Sequence, residues 1–146
     1  MSGVFRSPQD YELYVYTLME HFPSIRRSTL TFVRLGSTLA GVAGELQFDD
    51  GYRPVILERH RYDRKPMVID GYGYEVWPRG EKLYWYDSRS HPNEPQLNPT
   101  HPHHKHIPPD IKHHRIPAEQ LSFSKPNLPF LVQEIEMALE PQGGAG

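Results

Sequence analysis

Val42-Ala43-Gly44-Glu45-Leu46-Gln47-Phe48-Asp49-Asp50-Gly51-Tyr52 is the stretch whose reading decides the fold. Leu46 and Phe48 fall on one side of an extended chain, Glu45 and Gln47 on the other. That alternation of period two marks a strand with one buried face. Asp49-Asp50-Gly51 then supplies turn residues that tolerate positive φ, a strong hairpin signal. Tyr52 to Tyr62 follows as the return strand, with Pro54 near its start, where a missing N–H costs little.

Outward from the hairpin the same period continues. Thr29 to Leu35 reads as the first strand, turning at Gly36-Ser37. After Asp63-Arg64-Lys65-Pro66 comes a fourth strand, Met67 to Trp77. Pro78-Arg79-Gly80 turns into a fifth, Lys82 to Asp87. Five consecutive strands joined by short turns predict an antiparallel meander across residues 28–87. The period changes to that of a helix at both ends. Ser7-Pro8-Gln9-Asp10 is a helix start, with Ser7 as cap and Pro8 in the first helical position. Tyr11, Tyr14, Val15, Leu18, Met19 and Phe22 then form one apolar stripe, ended by Pro23, which predicts a helix over 7–22. Leu128, Leu131, Val132, Ile135 and Leu139 form another stripe, with Asn127 as its cap, which predicts a helix over 127–140 and a frayed tail at 141–146. The expected fold is α+β: a five-stranded antiparallel meander with an N-terminal and a C-terminal helix packed on it, in one domain spanning 1–146.

Between sheet and last helix, residues 88–126 lack periodicity and are rich in His and Pro. Nine of the fifteen prolines lie between Pro92 and Pro129, and seven of the nine histidines between His91 and His114. This segment is expected to be an irregular loop, and loops of that length are usually functional or disordered. Its centre is His101-Pro102-His103-His104-Lys105-His106. Imidazole is the side chain whose ordinary charge change falls near neutral pH, so the cluster points to proton transfer, phosphate binding or metal binding.

The formal net charge of −2 is not that of a clearly basic nucleic-acid binder. Charge is segregated, however: Arg53, Arg59, Arg61, Arg64 and Lys65 crowd one stretch, against Glu58 and Asp63. The chain has no cysteine, which excludes disulfides and thiolate catalysis and agrees with a reducing cytosol. No apolar run approaches a membrane span and the start lacks a signal peptide's apolar core, so a cytoplasmic protein without a membrane partner is expected.

Metal-free RNA cleavage needs a base for the 2′-OH, an acid for the leaving 5′ oxygen and cations for the charged phosphorane. His103, His104, Lys105 and His106 can supply these roles. Arg59 is a candidate phosphate clamp, and Asp87 a candidate to orient one imidazole. Tyr72, Tyr74 and Tyr86, with Arg61, are candidate RNA-binding residues, the rings by stacking on bases. Each has a plain structural reading too: tyrosines half-buried in a sheet, Asp87 a turn former, Arg59 a solvated charge. A metal-dependent His site is the rival chemistry, with His101, His103 and His106 converging and Asp87 or His91 completing the set. The spacing matches no zinc pattern, so no metal and no cofactor are expected.

The order of motifs resembles a known family. Its pieces are the opening helix with Tyr14 and Leu18; Gly44-Glu45-Leu46-Gln47-Phe48-Asp49-Asp50-Gly51; Glu58; Gly71-Tyr72-Gly73-Tyr74; Tyr84-Trp85-Tyr86-Asp87 with His91-Pro92; and Pro102-His103-His104-Lys105-His106. Together they resemble the TumE toxins of bacterial type II toxin–antitoxin pairs, over roughly residues 10 to 140. The resemblance implies a small cytoplasmic toxin neutralised by a cognate DNA-binding antitoxin. The chemistry adds an RNA substrate and a metal-independent endoribonuclease. A non-enzymatic toxin that binds its target or antitoxin through the sheet and the His-rich face stays open, as does a homodimer.

Overall fold

In the computed structural model, residues 3–63, 65–78, 84–88, 103–107, 115–118 and 120–139 are described. The elements run α1 Pro8–Tyr16, α2 Leu18–His21, β1 Arg27–Ser28, β2 Thr31–Arg34, β3 Leu39–Gln47, a 3-10 turn Asp49–Gly51, β4 Arg53–Arg61, β5 Val68–Trp77, β6 Tyr84–Ser88, β7 His103–His106, β8 Arg115–Pro117 and α3 Leu128–Leu139. All strand pairings are antiparallel, in the order β1-β3-β4-β5-β6-β7-β8, with β2 also paired to β3. The architecture is therefore the expected α+β sheet with helices at both ends of the chain. It has eight strands among the described residues, not five.

The three extra strands have physical causes. β2 lies within the expected strand Thr29 to Leu35, while β1 is a further two-residue strand before it, and the two pair with β3 on either side of Gly44, whose φ is 140°. There the backbones press together: a Cβ on Gly44 would lie 2.6 Å from the Thr29 carbonyl oxygen. The other two strands, β7 and β8, lie inside the segment expected to be a loop. His103–His106 has no alternation of polarity, so its strand character comes from pairing with β6, not from its own pattern.

The N-terminal helix also departs from its expected single span. Ser7 caps it as expected, its hydroxyl accepting from the Asp10 N–H at 3.1 Å. The helix then breaks at Thr17, whose hydroxyl donates to the Leu13 carbonyl at 2.7 Å. That back-bond competes with the helical ladder and bends it. Tyr11, Tyr14, Val15 and Leu18 are buried, while Met19 is exposed. On α3, Leu128, Leu131, Val132 and Ile135 are buried, each worth about 1.5–3 kcal/mol. Asn127, expected to cap α3, uses its side chain elsewhere. It accepts from the Ser122 N–H at 2.9 Å and donates to the Ser122 carbonyl at 3.0 Å and to the Tyr74 hydroxyl at 3.2 Å.

Two carboxylates, one buried and one half-buried, tie the helices to one face of the sheet. Glu58 on β4 is 1% exposed, and it accepts from the Tyr11 hydroxyl of α1 at 2.8 Å, from His60 Nε2 at 2.8 Å and from the Tyr74 hydroxyl of β5 at 2.5 Å. Glu134 on α3 accepts from the hydroxyls of Tyr84 and Tyr86, each at 2.7 Å, and from Lys105 Nζ at 3.4 Å. Lys105 Nζ also lies 4.5 Å from the Tyr84 ring centre and 5.3 Å from that of Tyr86, a cation–π arrangement.

Burial, reinforced by Glu58, raises the hydroxyls of Tyr11 and Tyr74 well above the ordinary tyrosine value of 10.0. Burial and Glu134 do the same for Tyr84 and Tyr86. A raised native pKa means that the unfolded chain releases these protons first. The stabilisation is complete below about pH 10 and is lost as pH rises beyond it. The melting temperature is expected to fall steeply above about pH 10, as unfolding lets these four buried hydroxyls ionise. Glu58→Ala strands three buried donors and should lower the unfolding free energy in urea by about 3 kcal/mol or more. Gly44→Ala, strained at positive φ and clashing with Thr29, should cost about 2 kcal/mol or more on the same measurement.

Candidate functional site

The pleat of the sheet divides the candidate residues into two sets. Helices cover the face that carries Ile56, Glu58 and His60 of β4, Tyr72 and Tyr74 of β5, and Tyr84 and Tyr86 of β6. The opposite face carries Leu57, Arg59 and Arg61, then Gly71, Gly73 and Glu75, then Trp85 and Asp87. β7 continues both sets, because Ser88 pairs with His103, Asp87 with His104, Tyr86 with Lys105 and Trp85 with His106. His103 and Lys105 thus join the helix side, and His104 and His106 the open side, where both rings are nonetheless largely buried: His106 is 6% exposed and the His104 side chain 12%.

On the helix side, the Tyr72 hydroxyl and His103 Nδ1 are 2.5 Å apart, with the two rings stacked at 5.6 Å. Burial, then the charge of Asp87, raises the Tyr72 pKa. The phenol therefore keeps its proton, and the hydroxyl and the imidazole nitrogen share one buried hydrogen bond. Phe123 packs on His103 at 4.4 Å between ring centres. Tyr74 is 0% and Tyr86 1% exposed, so neither has a ring face for a base. Together with Tyr72, they build the core beneath the site. Lys105 is held by Glu134, on the far side of the sheet from His104 and His106.

On the open side, one row runs across four strands: Leu57, Gly73, Asp87, His104. The next row is Val55, Glu75, Trp85, His106. Asp87 Oδ1 lies 3.2 Å from His106 Nε2, a hydrogen bond, and 3.9 Å from His104 Nδ1, within ion-pair reach but too far for a hydrogen bond. The Trp85 ring packs against His106 at 4.4 Å. Because Gly73 has no side chain, a trough opens beside this group. Its volume is about 420 Å³, and its walls are Val55, Leu57, Glu75, Trp85 and Asp87. That is within the range of small-molecule sites.

Arg59 stands one row further along β4, facing Gly71, and its Nε pairs with Asp70 at 3.2 Å. It is on the same face as Asp87, about 10 Å away across two strand spacings. Arg61 is not brought into this group. It pairs with Asp63 at 2.9 Å and lines a separate depression with Lys65, Pro66, Val68 and Asp70. Leu57, Gly73, Glu75 and Trp85 are trough residues that sequence reasoning missed. The signal was present for Trp85, since alternation in Tyr84-Trp85-Tyr86-Asp87 puts it beside Asp87.

Among the described residues, no three His, Asp or Glu side chains stand in metal-ligating geometry. His101, one of the three converging ligands of the metal reading, and His91, one of its two completing ligands, lie outside the described residues, as does the 141–146 tail. No helix among the described residues is long and apolar enough to cross a membrane.

No curated protein and no solved structure shows a significant match to the chain. A family match does exist, to the family described as Toxin TumE, over residues 15–139. It runs from within α1 to the end of α3 and takes in Glu58, Glu134, the trough and the Asp87–His104–His106 group. By that match the protein belongs to the TumE toxin family.

Proposed function

We propose that this toxin is a metal-independent endoribonuclease that works from the open face of its sheet. The observation that carries the reading is the Asp87 carboxylate, which lines the trough, hydrogen-bonds His106 and stands within ion-pair reach of His104. Two imidazoles on one side of a bound phosphodiester can act as acid and base. One takes the proton of the 2′-OH as its oxygen attacks phosphorus. The other gives a proton to the departing 5′ oxygen, leaving a 2′,3′-cyclic phosphate and a 5′-hydroxyl. Asp87 orients the rings and balances the imidazolium charge, as a carboxylate does in a triad. Arg59, with guanidinium donors beyond the one it gives Asp70, serves as the cation for the phosphorane. His103 and Lys105 support the strand from below and touch no substrate.

Family membership supports the rest of the reading: a cytoplasmic toxin of a type II pair, held inactive by a cognate DNA-binding antitoxin. A second reading is a non-enzymatic toxin that grips its target with the open face. The exposure of Val33, Leu35 and Leu57 on that face favours it.

Purified protein is expected to cleave RNA in EDTA. His104→Ala and His106→Ala should each slow cleavage by about 10²–10⁴-fold. His106→Ala, which removes a buried ring packed on Trp85, should also lower the urea midpoint, so its cleavage is measured well below that midpoint, where the protein is folded. In cells, sequencing RNA 5′ ends after brief induction should give discrete new ends that a His104→Ala control lacks. Growth arrest without new ends, or full toxicity in both histidine variants, would rule out the nuclease in favour of the binder.

A further inference from the structure

The trough over Gly73 is a recognition site in its own right. It lies directly beside the Asp87 group, since Gly73 and Asp87 are register partners. Its floor is glycine backbone, and its walls come from the two flanking strands, so it is about 10 Å across from strand to strand. A Cβ built on Gly73 meets nothing within 4 Å, so no neighbouring atom fills the space. Gly73 is also not among the glycines with positive φ, so the backbone itself does not demand glycine here. The missing side chain makes room for a ligand instead.

The walls specify what fits. Leu57, Val55 and Trp85 offer apolar and aromatic surface suited to the faces of a flat ring. Glu75 lies on the same face, two residues along β5 from Gly73, and adds a carboxylate. The Trp77 indole N–H donates to Glu75 Oε2 at 3.1 Å and holds the side chain in place. A carboxylate has about four lone-pair sites, so it can still accept two parallel N–H donors. Among the four RNA bases, guanine alone has two adjacent N–H donors, N1–H and N2–H, on its pairing edge. Adenine and cytosine set an amino group beside a bare ring nitrogen, and uracil sets one N–H between two carbonyls. Each of those would turn a lone pair toward the carboxylate.

We infer that the Gly73 trough is a guanine subsite, with Glu75 reading the pairing edge of the base and Gly73 leaving the space for its ring. This deepens the nuclease reading and rests on it for its biological use. A guanine over Gly73 brings its ribose and phosphate toward Asp87, so it places a guanosine at the cut.

Trp77 and Trp85 are the chain's two tryptophans, and both adjoin the site, so intrinsic fluorescence reports binding. The full-length protein is titrated with each 5′-nucleoside monophosphate. GMP is expected to bind about tenfold or more tightly than AMP, CMP or UMP. Gly73→Val should abolish that binding while far-UV circular dichroism and the urea midpoint are kept, since a β-branched side chain suits a strand. Glu75→Gln, at a surface position, should level the four affinities. GMP binding no tighter than AMP, or a Gly73→Val protein that titrates like the wild type, overturns the subsite. Selective GMP binding by a protein that cleaves no RNA supports the subsite and removes the nuclease. Cleavage with no guanosine at the cut and no GMP preference removes the subsite and leaves the nuclease.

Discussion

The structure depends on one buried charge. Glu58 sits under the sheet with almost no contact with water, and such a carboxylate is costly unless its oxygens are fully engaged. The Tyr11 and Tyr74 hydroxyls and the His60 N–H engage them. Each partner comes from a different place: Tyr11 from the first helix, Tyr74 from the neighbouring strand, His60 from the same strand two residues on. Asn127 extends the network to the start of the last helix by donating to the Tyr74 hydroxyl. Satisfying this carboxylate therefore requires both helices to dock on the same face of the sheet. Among the described residues, Val33, Leu35 and Leu57 on the opposite face are exposed.

A sheet with one covered face sorts its residues by parity, and this sorting takes apart the histidine run. His103 and Lys105 turn down toward Tyr72 and Glu134, while His104 and His106 turn up toward Asp87. The downward pair holds the strand against the core. The upward pair packs, largely buried, beside Asp87 and Trp85, which line the trough. Had the segment been an irregular loop, all four side chains could have served a single site. Pairing with β6 forbids it, because neighbouring residues on a strand face opposite ways.

Much of this was legible beforehand. The Asp49-Asp50-Gly51 turn, the alternation through β4, β5 and β6, and the apolar stripes of α1 and α3 were all readable from local pattern. So was the proximity of Asp87 to the histidine cluster. The strand character of His103–His106 was not, because four polar residues carry no alternation for the eye to follow. The break at Thr17 turned on a single hydroxyl choosing a carbonyl four residues back. The tyrosines were seen as a surface for bases because Tyr72, Tyr74 and Tyr86 share a face. That much was right, but the face was the buried one.

The chain by itself determined which residues go together: Tyr72 with Tyr74, Leu57 with Arg59, Trp85 with Asp87. Such grouping follows from backbone geometry, and no distant contact can alter it. Which group meets water was decided only by the tertiary structure. In β4 both faces mix polar and apolar residues: Ile56, Glu58 and His60 on one, Val55, Leu57 and Arg59 on the other. Hydrophobicity alone does not choose between them. The choice falls to hydroxyl groups on a helix forty-seven residues away and on the adjacent strand, which can satisfy Glu58 only from one side.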